Sequence, residues 1–104
     1  MNNNQDHFEV LRKINNSDKA TQRKLANELG FSLGKLNYCI KSLKDKGFIK
    51  IYNFKKNPNK LKYAYILTPR GITQKTKMTI SFMKRKIKEY DELEKELKRS
   101  ERTK

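Results

Sequence analysis

Lys35, Asn37 and Tyr38 have side chains that could contact the edges of nucleic-acid bases. They lie in the segment FSLGKLNYCIKSLKDKG, where apolar residues such as Leu36 and Ile40 recur at helical spacing. With the apolar side turned inward, these three residues face outward near the start of a helix. Lysine can donate to guanine O6 and N7, asparagine can pair with adenine through two hydrogen bonds, and tyrosine can contact sugar, phosphate or a thymine methyl. A solvated helix face is the alternative interpretation.

Neighbouring residues could hold the phosphate backbone. Thr21 and Ser32 are predicted N-caps, at helix starts where free N–H groups and the helix dipole favour phosphate. Gly34 would let the backbone of the third helix approach a duplex closely. Lysines at a predicted hairpin tip would lie along the flanking minor groove and backbone; a solvated hairpin tip is the alternative. The predicted DNA-binding residues are Thr21, Gln22, Arg23, Ser32, Gly34, Lys35, Asn37, Tyr38, Lys41, Ser42, Lys55, Lys56, Lys60 and Lys62.

The remaining reactive residue types form no catalytic or metal-binding pattern. Paired carboxylates, a nucleophile beside a base, and a glycine-rich phosphate loop are all missing from the sequence. Cys39 stands alone and is predicted to be a small buried hydrophobe, while His7 has no second metal ligand and is predicted to lie at the surface. We therefore expect a protein that is not an enzyme and uses neither a metal nor a cofactor.

The charge of the chain favours a polyanionic partner. The 104 residues carry a net charge of +15, and positions 41–70 contain nine basic residues against one acidic residue. Nucleic acid is the first candidate for such a surface, and an anionic membrane is the second. The acidic residues spread through the last third argue against membrane binding. A polar N-terminus, a single cysteine and no long apolar stretch predict a cytoplasmic protein.

The predicted elements give a mainly α fold with a small β-hairpin wing. Helices are expected over about 6–15, from an N-cap at Thr21 to Gly30, and from Ser32 to Gly47, with a loop at NNSDKA. FIKIYNF and KYAYILT predict a hairpin, and TPRG predicts the start of a helix capped by Thr68. The domains are then a winged helix-turn-helix at 6–68 and a long C-terminal dimerisation helix at 69–99, with flexible tails at 1–5 and 100–104.

The long C-terminal helix is apolar on two sides in its first half. Met78 and Phe82 are predicted to face the body of the domain. A second, broad stripe has nothing in this chain to pack against, so a homodimer is the economical explanation. The predicted dimer interface contains Ile80, Met83, Ile87, Tyr90, Leu93 and Leu97.

The chain resembles the MarR family of dimeric winged-helix transcription factors, and in particular the small EPS-associated regulators of exopolysaccharide clusters. The resemblance is carried by TQRKLANELGFSLGKLNYCIKSLKDKGFIK, NFKKNPNKLKYAYILTPRGI and KMTISFMKRKIKEYDEL. It implies transcriptional control of exopolysaccharide or capsule genes. A symmetric dimer on double-stranded DNA is expected to bind an inverted-repeat operator. The general family often holds a small-molecule effector, which is left open here, and its wing commonly carries an Asp-x-Arg pattern that NPNKLKYAYILT replaces with lysines.

Two other functions are compatible with the same residues. A winged helix can serve as a protein-interaction adaptor, and a basic module can bind RNA. An adaptor would not bind a duplex with strong salt dependence. The chain has no aromatic sheet motif of the kind that RNA-recognition modules use.

Overall fold

The computed structural model describes residues 3–17, 20–52 and 63–102. The elements in chain order are α1 (Asn3–Asn15), β1 (Ala20–Thr21), α2 (Gln22–Leu29), α3 (Leu33–Asp45), β2 (Ile49–Tyr52), β3 (Ala64–Leu67) and α4 (Pro69–Arg102). The strands form one antiparallel sheet in the order β1–β3–β2. The mainly α fold class with a small β wing is confirmed.

Caps set the ends of α2 and α3 as predicted. The Thr21 hydroxyl accepts from the backbone N–H of Lys24 at 3.2 Å, and the Ser32 hydroxyl accepts from that of Lys35 at 3.1 Å. Gly30 ends α2 with φ 69°, and Gly47 follows α3 with φ 78°. Because glycine adopts these left-handed conformations without a steric penalty, the chain can reverse sharply after each helix.

A small core joins the three short helices to the sheet. Its fully buried members include Val10, Leu11, Leu25, Leu36 and Leu43. Cys39 is 2% exposed, so the prediction of a buried thiol is confirmed. Burial raises the pKa of that thiol, which disfavours the reactive thiolate.

His7 corrects the prediction of a surface residue. Its side chain is 8% exposed, and Nε2 is buried without a hydrogen-bond partner among the described residues. The signal was present in the sequence, because His7 precedes Val10, Leu11 and Ile14 at the spacing of one buried helix face. Burial, and then the nearby positive charge of Lys46, lower the pKa of His7.

Three boundaries differ from the predictions. Ala20 and Thr21 form β1 at the end of the expected loop, since two residues are too few to show a strand pattern and pairing with β3 creates the strand. Helix α1 begins at Asn3 and α4 continues to Arg102, so residues 3–5 and 100–102 are helical where flexible tails were predicted.

The start of α4 is fixed against the end of α3. The Thr68 hydroxyl donates to the carbonyl of Gly47 at 2.6 Å and accepts from the N–H of Gly71 at 3.0 Å, as its predicted role of N-cap requires. A Cβ at Gly71 would overlap the carbonyl oxygen of Phe48, just before β2. The backbone of α4 and the backbone at Phe48 are therefore in direct contact. The direction of α4 is therefore set at its first turn.

Only the first half of α4 contacts the body. Phe82 stacks on Phe8 of α1 with ring centroids 4.6 Å apart, and Met78 packs against the core, as predicted. Every residue from position 83 to position 102 is exposed. The molecule consequently measures 66 × 26 × 24 Å along its principal axes. Among the helices of the described ranges, none has the length and apolar content of a membrane span.

Candidate nucleic-acid interface

The outward face of α3 carries the predicted reading residues. Lys35, Asn37, Tyr38 and Lys41 are all exposed, and Tyr38 retains 61% of its surface. Ser42 is half-buried. The inward face of the same helix is buried, so the side chains with donor groups project from a rigidly seated helix. This geometry suits insertion of the N-terminal half of α3 into a major groove.

Lys35 is already engaged in two interactions. Its ammonium lies 3.4 Å from the Asp6 carboxylate of α1 and 4.1 Å from the centre of the Phe31 ring. The Lys35 side chain keeps 41% of its surface, so the charge remains accessible. A base or phosphate must compete with Asp6 for this lysine, a condition that the sequence did not reveal.

Asn37 is held from behind by Gln22. The Nε2 group of Gln22 donates to Asn37 Oδ1 at 2.5 Å and to the Tyr65 hydroxyl at 3.2 Å. Tyr65 is on β3 and is 2% exposed; burial raises the pKa of its phenol, with the Gln22 hydrogen bond acting in the opposite direction. Tyr65 is thus protonated near neutral pH and available for hydrogen bonding.

The side chain of Gln22 points into the domain at the start of α2. It is only 1% exposed, and the predicted phosphate contact at this helix start concerns the backbone N–H. A sequence signal existed here too, because Gln22 shares its helical face with Leu25, Ala26 and Leu29. A buried amide was missed because glutamine is usually exposed.

The remaining predicted residues have simple surroundings. Arg23 is exposed on α2, and the caps Thr21 and Ser32 have their hydroxyls occupied by backbone N–H groups. Gly34 has nothing within 4 Å of an added Cβ, so no intramolecular contact requires a glycine there. The four hairpin lysines Lys55, Lys56, Lys60 and Lys62 lie outside the described residues.

A cavity of about 510 Å³ separates α3 from the sheet. Its walls include Lys41 and Lys44 from α3, Ile51 from β2, and Tyr63 with Tyr65 at β3. Lys41 and Lys44 bring positive charge to this cavity beside the exposed face of α3, and Asp45 brings one negative charge.

A second groove, of about 760 Å³, lies between α1 and α4. The Phe8 and Phe82 rings form part of its wall, and Arg12, Lys75 and Arg85 add positive charge.

Among the described residues, no group of histidine, cysteine and carboxylate side chains could hold a metal ion. The exposed face of α3, which carries the predicted donor side chains, is the candidate functional surface.

Comparison with known proteins agrees with this geometry. Residues 7–50 match the family model described as winged helix-turn-helix DNA-binding. The fold is a winged helix-turn-helix. In this fold α3 takes the position of the recognition helix, and the β2–β3 hairpin takes that of the wing.

Solved structures show the same fold beyond the matched segment. A Staphylococcus aureus MarR in complex with salicylate and kanamycin superposes with a TM-score of 0.72 at 16% identity, covering 83% of this chain and 56% of that one. A MarR family transcription regulator gives 0.65 at 19% identity, covering 89% and 68%. An S. aureus MepR mutant bound to oligodeoxyribonucleotide gives 0.63 at 19% identity, covering 88% and 64%. A search of curated proteins finds no significant match.

The chain is shorter than the solved structures that it matches. This winged-helix chain spans about 56% of the length of the S. aureus MarR chain that it matches. At identities of 16–19%, the likeness establishes the fold alone. The function has to be argued from this chain's own surface.

Proposed function

We propose that this winged-helix protein is a homodimeric, non-enzymatic transcriptional regulator that binds a specific sequence of double-stranded DNA in the cytoplasm. The observation that carries the proposal is the exposed donor face of α3 beside the wing, in a chain with a net charge of +15. Lys35, Asn37 and Tyr38 supply the base contacts in this proposal. The winged helix-turn-helix match over residues 7–50 supports the same function.

Charge would supply most of the affinity. If a dimer neutralises about ten phosphates, the affinity should fall with a log–log salt slope near −9. The cavity with Lys41 and Lys44, the start of α2 with Arg23, and the wing lysines are the proposed phosphate contacts. Such contacts position the protein without selecting a sequence.

The dimer is proposed from the outer stripe of α4. Ile87, Tyr90, Leu93 and Leu97 are 57–67% exposed, and Ile80 and Met83 extend the stripe toward the body with 49% and 57% exposed. Six large apolar side chains on one face exceed what a monomer normally leaves in water. Pairing two copies of α4 would bury this stripe and place two recognition helices on one duplex.

Selection of bound duplexes from a random pool tests the function directly. We expect an inverted repeat with half-sites about 10 bp apart or a multiple of that spacing, bound with a steep salt dependence. Selected sites without two-fold symmetry would contradict a symmetric dimer on DNA. An adaptor or RNA-binding module would select no duplex at all. Targets among exopolysaccharide or capsule genes follow from the family resemblance and would be tested by locating the selected operator upstream of such genes.

Sedimentation tests the dimer separately. Ile87→Glu places a charge inside the stripe and should yield monomers, because an unpaired carboxylate is costly in an apolar interface. Ser81→Glu is the control, since Ser81 is exposed and lies about 120° around the helix from Ile87. Equal dimerisation of both variants would exclude the α4 stripe as the interface.

A further inference from the structure

Three side chains from three different elements form one hydrogen-bonded series. Tyr65 on β3 and Gln22 at the start of α2 are 2% and 1% exposed, and Asn37 on α3 is exposed. The Gln22 amide bonds to both of the others, at 3.2 Å to the tyrosine oxygen and 2.5 Å to Asn37 Oδ1. A buried residue of one helix thus contacts a proposed base-reading residue of the next.

The two ends of the series differ in freedom. Gln22 is enclosed by the core; its Nε2 is hydrogen-bonded on both sides, while its Oε1 is buried without a hydrogen-bond partner among the described residues. Because burying an amide is costly unless it is hydrogen-bonded, the two bonds of Nε2 hold the side chain in place. A surface asparagine, in contrast, turns easily about its last side-chain torsion, which has only a broad preference. The bond from Gln22 therefore restricts Asn37 far more than Asn37 restricts Gln22.

The bond also selects which atoms of Asn37 remain for a ligand. Its Oδ1 is turned toward Gln22, which leaves the Nδ2 group with two hydrogens to donate, while Oδ1 keeps one lone pair. Adenine, guanine and thymine present major-groove acceptors, whereas cytosine presents the N4 donor. Asn37 held in this orientation disfavours cytosine at the position that it contacts.

We propose that Gln22 is a positioning residue for Asn37, and that through this bond it determines the base preference of the recognition helix at one position. The inference rests on the proposed function of sequence-specific DNA binding. Tyr65 is the second member, because its hydroxyl contacts the same Gln22 amide and belongs to a strand of the wing.

A purely architectural role is the competing explanation. Gln22 joins α2 to α3, so its loss could tilt the recognition helix and weaken binding to every sequence equally. A positioning role predicts that the base preference changes only at the base pair that Asn37 contacts, and only while Asn37 is present.

The first test uses Gln22→Met, which keeps a similar volume and removes the amide. The position that Asn37 contacts is found as the base pair at which Asn37→Ala loses preference. There, Gln22→Met should lower the ratio of affinities for the best and worst base by roughly 3- to 10-fold, the range of one hydrogen bond. In the Asn37→Ala background the same change should have no further effect on that ratio.

Tyr65→Phe provides a conservative second variant, because it removes one oxygen and leaves the ring in place. It should reduce the preference at the same base pair by roughly 2- to 3-fold. If thermal unfolding shows that Gln22→Met does not fold, the test proceeds with Tyr65→Phe. A uniform loss across all four base pairs, or an equal effect in the Asn37→Ala background, would overturn the positioning role. So would an Asn37→Ala variant that keeps every base preference.

A measurement without DNA separates this inference from the proposed function. In the free protein, the Asn37 side-chain Nδ2 should show a high NMR order parameter that falls in Gln22→Met. An order parameter unchanged by that substitution overturns the inference whether or not the protein binds a duplex. Failure to bind any duplex, with the order parameter falling as expected, overturns the proposed function and leaves the bond between the two amides established.

Discussion

The ion pair between Asp6 and Lys35 predicts that removing an acid on α1 will strengthen DNA binding. The two charged groups are 3.4 Å apart, with side chains 20% and 41% exposed respectively. Ion pairs with this degree of exposure contribute about 0.2–1 kcal/mol to stability. Lys35 loses that interaction when it turns to a duplex. Asp6→Asn should therefore raise the affinity of one subunit by roughly 1.4- to 5-fold.

The proposed dimer doubles the effect in free energy. Two subunits on one operator should together gain roughly 2- to 30-fold in affinity. If Lys35 neutralises a phosphate, the gain should appear on every duplex while the salt slope stays nearly the same, because both proteins neutralise the same number of phosphates. If it contacts a base, the gain should be confined to the selected operator. Fluorescence anisotropy titrations over a range of salt concentrations measure both quantities.

The matched control is a second ion pair between helices. Glu28 lies 3.8 Å from Lys13, with side chains 37% and 41% exposed, and neither residue is on α3. Glu28→Gln removes the same charge and should change the affinity less than Asp6→Asn. The decisive comparison is Asp6→Asn in a Lys35→Met background, where we expect no gain. An equal gain in that background would refute the reasoning, because it would show only the loss of one negative charge from the protein.

Other predictions follow from single residues. Gly34→Ala should increase the free energy of unfolding by up to about 1 kcal/mol, because the added Cβ meets no protein atom. The same Cβ would stand between α3 and a duplex, so DNA binding should weaken. Unchanged affinity would exclude a close approach of the duplex at this position. Gly71→Ala should lower the stability by about 1–3 kcal/mol or more in thermal unfolding, because its Cβ overlaps the Phe48 carbonyl; wild-type stability would contradict that contact. The pKa of His7 is lowered by burial and by Lys46, so its contribution to stability is full above the unfolded value of 6.5 and is lost as the pH falls toward the folded pKa. Denaturant titrations should show a smaller loss between pH 7.5 and pH 5 in His7→Gln, and an identical loss would rule out His7 as the titrating group.

Local signals were sufficient for most of the fold. Thr21 and Ser32 are polar residues that precede apolar periodic segments, and Gly30 and Gly47 follow them, so the helix ends could be predicted from residues within one turn. Thr68 before a proline gave the start of α4 in the same way. These helix ends depend on hydrogen bonds between residues close in the chain, so the residue types at the ends are sufficient to predict them.

The candidate site was less predictable because its connections are long-range. The outward face of α3 follows from periodicity, but the partners of its residues do not. Asp6 reaches Lys35 from another helix, and Tyr65 reaches Gln22 across 43 positions. Such contacts depend on how α1 and the sheet pack against the helix pair, and no local pattern records that packing. The burial of Gln22 was visible in the helical stripe, but the partner that stabilises it was not.

The continuity of α4 gives the molecule a mechanical property. Its 34 residues form a rod of about 51 Å, one end of which is fixed by Thr68 and Gly71 to Gly47 and Phe48, between α3 and β2. A rod of that length works as a lever arm, since a swing of about 5° at one end moves the other by roughly 4 Å. In the proposed dimer, a small change in how two such rods cross would become a large change in the distance between the recognition helices. The angle at which the two copies of α4 cross would then determine the spacing of the half-sites that the dimer can bind.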